Sequence, residues 1–107
     1  MSDGETMQWL NDEKFVIHKM SDKWEDVGGV YIFAQFDREY WFADYVGETE
    51  SFAEHLPNHE RWPDAVRCGS THVHTLVVDD KTSRRSLGEQ LIQRYRPPMN
   101  TPEPSPI

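Results

Sequence analysis

Two apolar segments separated by a short polar turn constrain the fold of this chain most. The first, Val30–Phe36, follows a pair of glycines and is rich in the β-branched and aromatic residues that favour strands. The second, Tyr40–Val46, has the same character and ends at Gly47. Because only the polar residues 37–39 separate the two segments, they are predicted to form an antiparallel hairpin.

Two short helices are predicted after the hairpin. Thr49 or Ser51 can cap the first helix, and Pro57 must end it because proline lacks the backbone N–H that the next turn needs. Pro63 is well placed to begin the second helix, Asp64–Arg67. A helical connection therefore separates the hairpin from the next strand.

A third strand and the longest helix complete the predicted order. Thr71–Val78 is the strand, and in Lys81–Arg96 the apolar residues recur at helical spacing until Pro97 and Pro98 end the helix. An earlier segment, Phe15–Met20, is open to two interpretations, a short strand or a cap on the core. The order β-β-α-β-α predicts a small α/β domain with an antiparallel three-stranded sheet flanked by helices.

The length of the chain, 107 residues, leaves room for one small domain. Residues 28–100 are predicted to form it, with residues 1–27 as an N-terminal extension. The proline-spaced residues 101–107 are predicted to be an extended or disordered tail.

The net charge of −8 is unevenly distributed along the chain. Residues 1–54 carry 13 acids and 4 bases, whereas residues 55–107 carry 6 acids and 7 bases. DNA phosphates repel an acidic chain unless its bases gather on one face. This distribution argues against a protein that coats duplex DNA, but it allows a small nucleic-acid site.

Cysteine content and hydropathy bear on the compartment. Cys68 is the only cysteine, so the chain forms no internal disulfide. No apolar run is long enough to cross a bilayer, and residues 1–6 lack the apolar core of a secretory signal. We therefore expect a cytoplasmic protein that does not bind membranes.

Two glycine-flanked tyrosines mark the predicted hairpin. The segment Gly29-Val30-Tyr31 begins one strand and Tyr45-Val46-Gly47 ends the other, so an antiparallel hairpin can bring both phenols to one edge. Further polar side chains follow in the order His55, His59, Glu89 and Asn100. This ordered set resembles the GIY-YIG nuclease family, in particular its small stand-alone bacterial or phage members, over roughly residues 28–100.

The resemblance implies a DNA endonuclease that hydrolyses phosphodiesters with one divalent ion, magnesium or manganese. Tyr31 matches the tyrosine beside the attacking water, and Tyr45 matches the second tyrosine, which orients water or phosphate. Glu89 is the nearest match to the metal-binding glutamate. Asn100 matches a bracing asparagine, and His59 matches a polar position one turn past the family's arginine.

The sequence departs from the family pattern at two positions. His55 stands where the family has arginine, which is always charged and bidentate; Arg61 or Arg67 could bind the substrate phosphate in its place. Gly88 stands where the family has its glutamate, so Glu89 is one residue late, a rotation of about 100° around a helix. The departures give an alternative function, a catalytically impaired module that binds nucleic acid or a protein partner.

Structural interpretations remain open for the candidate aromatic and imidazole side chains. Tyr31 and Tyr45 can be core or rim aromatics of a sheet. The spacing of four between His55 and His59 allows a zinc pair, but Pro57 between them disturbs the helical geometry.

Two further pairs are also expected to be structural. His72 and His74 share one face of a strand and are expected to be half-buried packing residues. Arg84 and Arg85 are expected to be a solvated helix start, with a phosphate contact as the alternative.

Overall fold

The computed structural model describes residues 5–100. The predicted tail, residues 101–107, lies outside them. Five strands and three helices alternate along the chain, in the order β1 (Thr6–Gln8), β2 (Lys14–His18), β3 (Gly29–Asp37), β4 (Tyr40–Thr49), α1 (Phe52–His55), α2 (Trp62–Cys68), β5 (His72–Val77) and α3 (Lys81–Tyr95).

The sheet has five antiparallel strands in the order β1-β2-β5-β3-β4, so the prediction of three strands was wrong. The two additional strands, β1 and β2, lie before residue 28. Strand β2 pairs with β5, with Val16 opposite Thr75, and the side chain of Phe15 is fully buried. The sheet therefore continues from the segment predicted as an extension into the predicted domain.

The β3–β4 hairpin was predicted correctly. Its register places Tyr31 opposite Gly47 and Phe33 opposite Tyr45, with a β-bulge after Phe33. A side chain at Gly47 would overlap the ring of Tyr31. Glycine at this position therefore allows the Tyr31 ring to lie across β4.

Alternating residues of β3 build two cores on opposite faces of the sheet, as the period of two in a strand requires. The α3 face is formed around Val30, Ile32 and Ala34 and is covered by helix α3 through Leu91. The α1–α2 face is formed around Tyr31 and Phe33 and is covered by the two short helices. The side chains that contact it from these helices and from β5 are Phe52, Leu56, Ala65 and Val73.

Local sequence signals explain the helix boundaries. Ser51 is the N-cap of α1, and its hydroxyl accepts a hydrogen bond from the Glu54 N–H at 3.2 Å. Helix α2 ends at Gly69, whose φ of 114° is the left-handed conformation that glycine adopts without strain. Asp80 caps α3 by accepting from the Ser83 N–H at 2.8 Å. Within residues 5–100, every helix is too short or too polar to span a bilayer.

Candidate active site

A cavity of about 530 Å³ opens beside β3 and β4, between α1 and the first turn of α3. Tyr31 of β3 lines it together with His55 at the end of α1 and His59 in the following loop. Glu48 of β4 and Arg84 of α3 line its other side. The cavity therefore gathers a phenol, two imidazoles, a carboxylate and a guanidinium from five segments of the chain.

The Tyr31 hydroxyl lies 2.7 Å from Nε2 of His59. The second nitrogen of His59, Nδ1, accepts a hydrogen bond from the Arg61 backbone N–H at 3.0 Å. A neutral imidazole that accepts at Nδ1 carries its proton on Nε2. The Nε2–H of His59 therefore donates to the Tyr31 oxygen, which leaves the phenol proton available for another acceptor.

Burial affects the pKa values of both partners. It lowers the pKa of His59; Glu60 opposes this effect, whereas His55 and Arg61 add to it. The neutral form of His59 is thus favoured near pH 7. Burial also raises the pKa of Tyr31 well above its usual value near 10, and Tyr45 and Glu48 raise it further. Tyr31 is therefore a neutral phenol unless a cation stabilises its ionised form.

His55 has the opposite tautomer. Its Nδ1 lies 3.2 Å from the Ser51 carbonyl oxygen and also contacts the Thr49 hydroxyl. A carbonyl oxygen only accepts, so Nδ1 carries the proton and Nε2 retains its lone pair. Within residues 5–100, Nε2 of His55 has no hydrogen-bond partner. The cavity thus holds one imidazole poised to accept a proton and one that donates.

Tyr45 and Asn100 lie next to the cavity. The Tyr45 ring packs against the rings of Tyr31 and His59, with centroid distances of 6.2 and 5.8 Å. The Asn100 side chain accepts from the Val46 N–H at 2.7 Å and donates to the Val46 carbonyl oxygen at 2.9 Å. Asn100 therefore fixes the backbone of β4 beside Tyr45.

The two arginines predicted to bind the substrate lie outside the cavity lining. The Arg61 guanidinium lies over the Tyr45 ring, 5.7 Å from its centroid, and donates to the Met99 carbonyl oxygen at 3.2 Å. Arg67 is exposed on α2, where it pairs with Asp64. Arg61 thus supports Tyr45 from outside, whereas Arg67 is separate from the Tyr31 cavity.

Glu89 also lies outside the Tyr31 cavity. It is exposed on α3 and borders a separate depression together with Gly47, Glu48 and Gly88. Of the carboxylates in that depression, Glu48 alone also lines the Tyr31 cavity.

Sequence reasoning missed Glu48 and misjudged Arg84. Arg84 was expected to be solvated, but it is 4% exposed. Its Nε donates to Oε1 of Glu48 at 3.1 Å, and its Nη1 donates to the Asp79 carbonyl oxygen at 2.8 Å. Spacing along α3 could have revealed its burial, since residues 84, 88 and 91 share one helical face and Leu91 is a core residue.

The donor chemistry of the cavity fits a hard divalent cation with an incomplete protein shell. Within the described residues, no group of three or more His, Cys, Asp or Glu side chains could hold a metal ion. Magnesium commonly binds one or two carboxylates and completes its octahedron with water and phosphate oxygens. Glu48 supplies one carboxylate of this kind, and it lines the same cavity as Tyr31.

Similarity to solved structures agrees with this topology. No family model matches the sequence, and no curated protein matches it. Two crystal structures of the GIY-YIG N-terminal endonuclease domain of UvrC from Thermotoga maritima match it with a TM-score of 0.59. They are 23% and 24% identical in sequence, and each match covers 74% of this chain and 88% of the other. Both are tyrosine-to-phenylalanine point mutants bound to the catalytic divalent cation. The fold of this chain is therefore the GIY-YIG fold.

Proposed function

We propose that this protein hydrolyses phosphodiester bonds in DNA with the help of one divalent cation, magnesium or manganese. The observation that carries the proposal is the 2.7 Å hydrogen bond between the Tyr31 hydroxyl and His59 inside the cavity that His55 also lines. The endonuclease domains with the same fold, bound to a catalytic divalent cation, support it.

The three side chains divide the chemistry of water activation. The Tyr31 hydroxyl, freed from donating to His59, orients the attacking water. Its oxygen takes a proton from the water as its own proton passes to Nε2 of His55, which lines the same cavity. The Nε2–H of His59 stabilises the negative charge that develops on the phenol oxygen during this transfer. A divalent cation bound at the Glu48 carboxylate would polarise the phosphate and stabilise the leaving oxygen.

Charge around the cavity supports the dependence on a cation. Among residues 5–100, four glutamates line it, at positions 48, 50, 54 and 60, whereas its basic residues there are Lys81 and Arg84. A cavity with this excess of carboxylates repels a phosphodiester. A bound divalent cation would reverse the repulsion, so substrate binding and hydrolysis both require it.

Cleavage of DNA by the purified protein tests the proposal. Single-stranded and duplex oligonucleotides are incubated with magnesium or manganese, and a parallel reaction contains EDTA. We expect metal-dependent cleavage that Tyr31→Phe abolishes, because the phenylalanine retains the ring and removes the hydroxyl. Tyr40→Phe is the matched control, since Tyr40 is 65% exposed at the start of β4. Absence of cleavage by the wild-type protein, or equal cleavage by Tyr31→Phe, would contradict the proposal.

The same acidic cavity favours a second candidate, a catalytically impaired module that binds nucleic acid or a basic protein partner. His55 stands where the resemblance implies an arginine, which is always charged and bidentate. His55→Arg distinguishes the two functions. If an inactive protein gains metal-dependent cleavage from this substitution, the chain is an impaired enzyme. If it gains none and captures a basic protein partner, the binding function is supported.

A further inference from the structure

The positions that supply charge in the related nucleases are neutral or displaced in this chain. His55 stands where the resemblance implies an arginine, and Gly88 stands where it implies a glutamate. Glu89 is exposed outside the Tyr31 cavity. A hydrolase site of the proposed kind still needs a carboxylate for the cation and a positive group for the phosphate.

We infer that the Glu48–Arg84 pair supplies both groups: Glu48 binds the divalent cation, and Arg84 binds the phosphate. The inference rests on the proposed function. It assigns the carboxylate to strand β4 and the guanidinium to helix α3.

Arg84 is built into the cavity wall as a preorganised cation. Its side chain is about nineteen-twentieths buried, and its Nη1 is held by the carbonyl oxygens of Val78 and Asp79 at 3.3 and 2.8 Å. Nε donates to Glu48. Within the described residues Nη2 has no hydrogen-bond partner, although the side chain lines the cavity. A buried guanidinium with one unpaired nitrogen at a cavity is suited to an anionic oxygen.

Glu48 supplies a carboxylate in place of the glutamate that the resemblance implies at position 88. Its Oε1 accepts from Arg84, and its Oε2 has no partner within residues 5–100. The side chain is 34% exposed, so water-bound cations can reach it. Arg84 holds the carboxylate in one orientation, which reduces the entropy lost when it binds a cation.

The geometry of α3 explains why a strand residue can replace a helix residue. Gly88 lies one turn after Arg84, and it borders the same depression as Gly47 and Glu48. A Cβ built at Gly88 meets no atom within 4 Å. The space that a glutamate at position 88 would use is therefore adjacent to Glu48, which reaches it from β4.

Manganese binding tests the carboxylate assignment independently of catalysis. Free Mn²⁺ is measured by electron paramagnetic resonance during titration of the wild-type protein, Glu48→Gln, Glu89→Gln and an inert control, Glu39→Gln in the hairpin turn. Glutamine keeps the size of the side chain and an oxygen that accepts from Arg84. We expect Glu48→Gln to weaken Mn²⁺ binding by about tenfold or more, since mutation of residues that only hydrogen-bond to a metal ligand already costs about that much affinity. Equal binding by Glu48→Gln with loss in Glu89→Gln would overturn the inference and leave the proposed function intact.

A second-site variant and an arginine pair complete the test. Gly88→Glu in the Glu48→Gln background restores a carboxylate from the helix, and we expect it to recover Mn²⁺ binding.

For the phosphate, Arg84→Lys is compared with Arg85→Lys in binding of an uncleaved oligonucleotide with Ca²⁺. Lysine keeps the charge but loses the planar fork, so we expect about tenfold weaker binding for position 84 and little change for exposed position 85. Equal affinities of these two folded variants would contradict the role of Arg84. A wild-type protein that neither binds Mn²⁺ nor cleaves DNA would overturn the proposed function itself.

Discussion

Each face of the sheet contains a buried or half-buried imidazole that is hydrogen-bonded to an aromatic side chain. On the α3 face, the Trp9 indole N–H donates to Nδ1 of His74 at 2.9 Å. On the α1–α2 face, the His59 imidazole pairs with the Tyr31 hydroxyl at 2.7 Å. His74 is completely buried, and the Trp41 ring packs against it at 4.4 Å, whereas His59 borders an open cavity.

Access from solvent, more than residue type, distinguishes these two imidazoles. Burial lowers the pKa of both histidines, that of His74 to about 3. His74 accepts from Trp9 in a closed core, where no substrate can reach it. His59 polarises a phenol that shares a cavity with a second imidazole, His55. The closed core around His74 therefore stabilises the fold, whereas the open Tyr31 cavity holds the proposed chemistry.

Loss of the hydrogen bond between His59 and Tyr31 is expected to have the largest effect, on the rate of DNA cleavage. His59→Leu removes the donor to the Tyr31 oxygen, and loss of one preorganised donor costs about 2.7–4 kcal/mol of barrier, or about 100- to 1,000-fold in rate. His59→Gln retains an N–H donor and should preserve much more of the activity. Rates of metal-dependent DNA cleavage measure both variants. Cleavage by His59→Leu at the wild-type rate would show that the hydrogen bond is irrelevant to the reaction.

Loss of the hydrogen bond between Trp9 and His74 should lower the stability of the fold and leave the cleavage rate unchanged. His74→Ala leaves the buried Trp9 N–H without an acceptor and creates a cavity, so the free energy of unfolding should fall by about 2 kcal/mol or more. Urea unfolding measures this change, with partly exposed His72→Ala as the control, for which we expect less than about 1 kcal/mol. Cleavage per folded molecule should be unchanged. A loss of cleavage in folded His74→Ala would mean that the two faces are coupled.

The pH dependence of stability sharpens the comparison further. The pKa of His74 is about 3 in the folded protein and near 6.5 when unfolded, so the unfolded chain binds more protons between these values. The free energy of unfolding should therefore decrease as the pH falls below about 6.5, by up to about 1.4 kcal/mol per pH unit from this residue. His59, whose pKa is also lowered, contributes in the same direction.

Unfolding in urea at pH 7, 6 and 5 tests this dependence. His74→Leu removes the titrating group from the closed face, so its stability should depend less steeply on pH than that of the wild-type protein. The same slope in both proteins would contradict the assignment to His74.

The smallest effect on stability is expected at Gly88 of α3, which borders the same depression as Glu48 of β4. A Cβ there meets no atom within 4 Å, and alanine is about 0.8–1 kcal/mol more favourable than glycine inside a helix. Gly88→Ala should therefore raise the free energy of unfolding by up to about that amount and leave cleavage unchanged. Thermal unfolding measures the gain. A destabilised variant would show that position 88 is less open than the structure indicates.

Much of the fold was predictable because its signals are local. The hairpin strands carry continuous β-branched and aromatic residues, and α3 has apolar residues at helical spacing between a capping aspartate and two prolines. The β1–β2 hairpin was missed because its strands have three and five residues and little alternation. Its turn had a signal, since Asn11 and Asp12 both adopt positive φ, as these residue types tolerate in tight hairpins.

The candidate site was only partly predictable, because it depends on contacts distant in sequence. The motif order identified Tyr31, His55 and His59, which the structure brings to one cavity. Helical spacing places Arg84 on the buried face of α3, but no local pattern identifies its partner as Glu48, 36 residues earlier. Conversely, the family resemblance selected Glu89, but the structure places both Gly88 and Glu89 at a separate depression outside the Tyr31 cavity.

Paramagnetic broadening by Mn²⁺ tests most directly whether the Tyr31 cavity, and not the closed core around His74, holds the cation. Imidazole proton resonances are recorded while substoichiometric Mn²⁺ is added to the wild-type protein. We expect the signals of His55 and His59, which line the Tyr31 cavity, to broaden first and those of His74 to remain sharp. Broadening of His74 at the same concentration, or no selective broadening of His55 and His59, would contradict it.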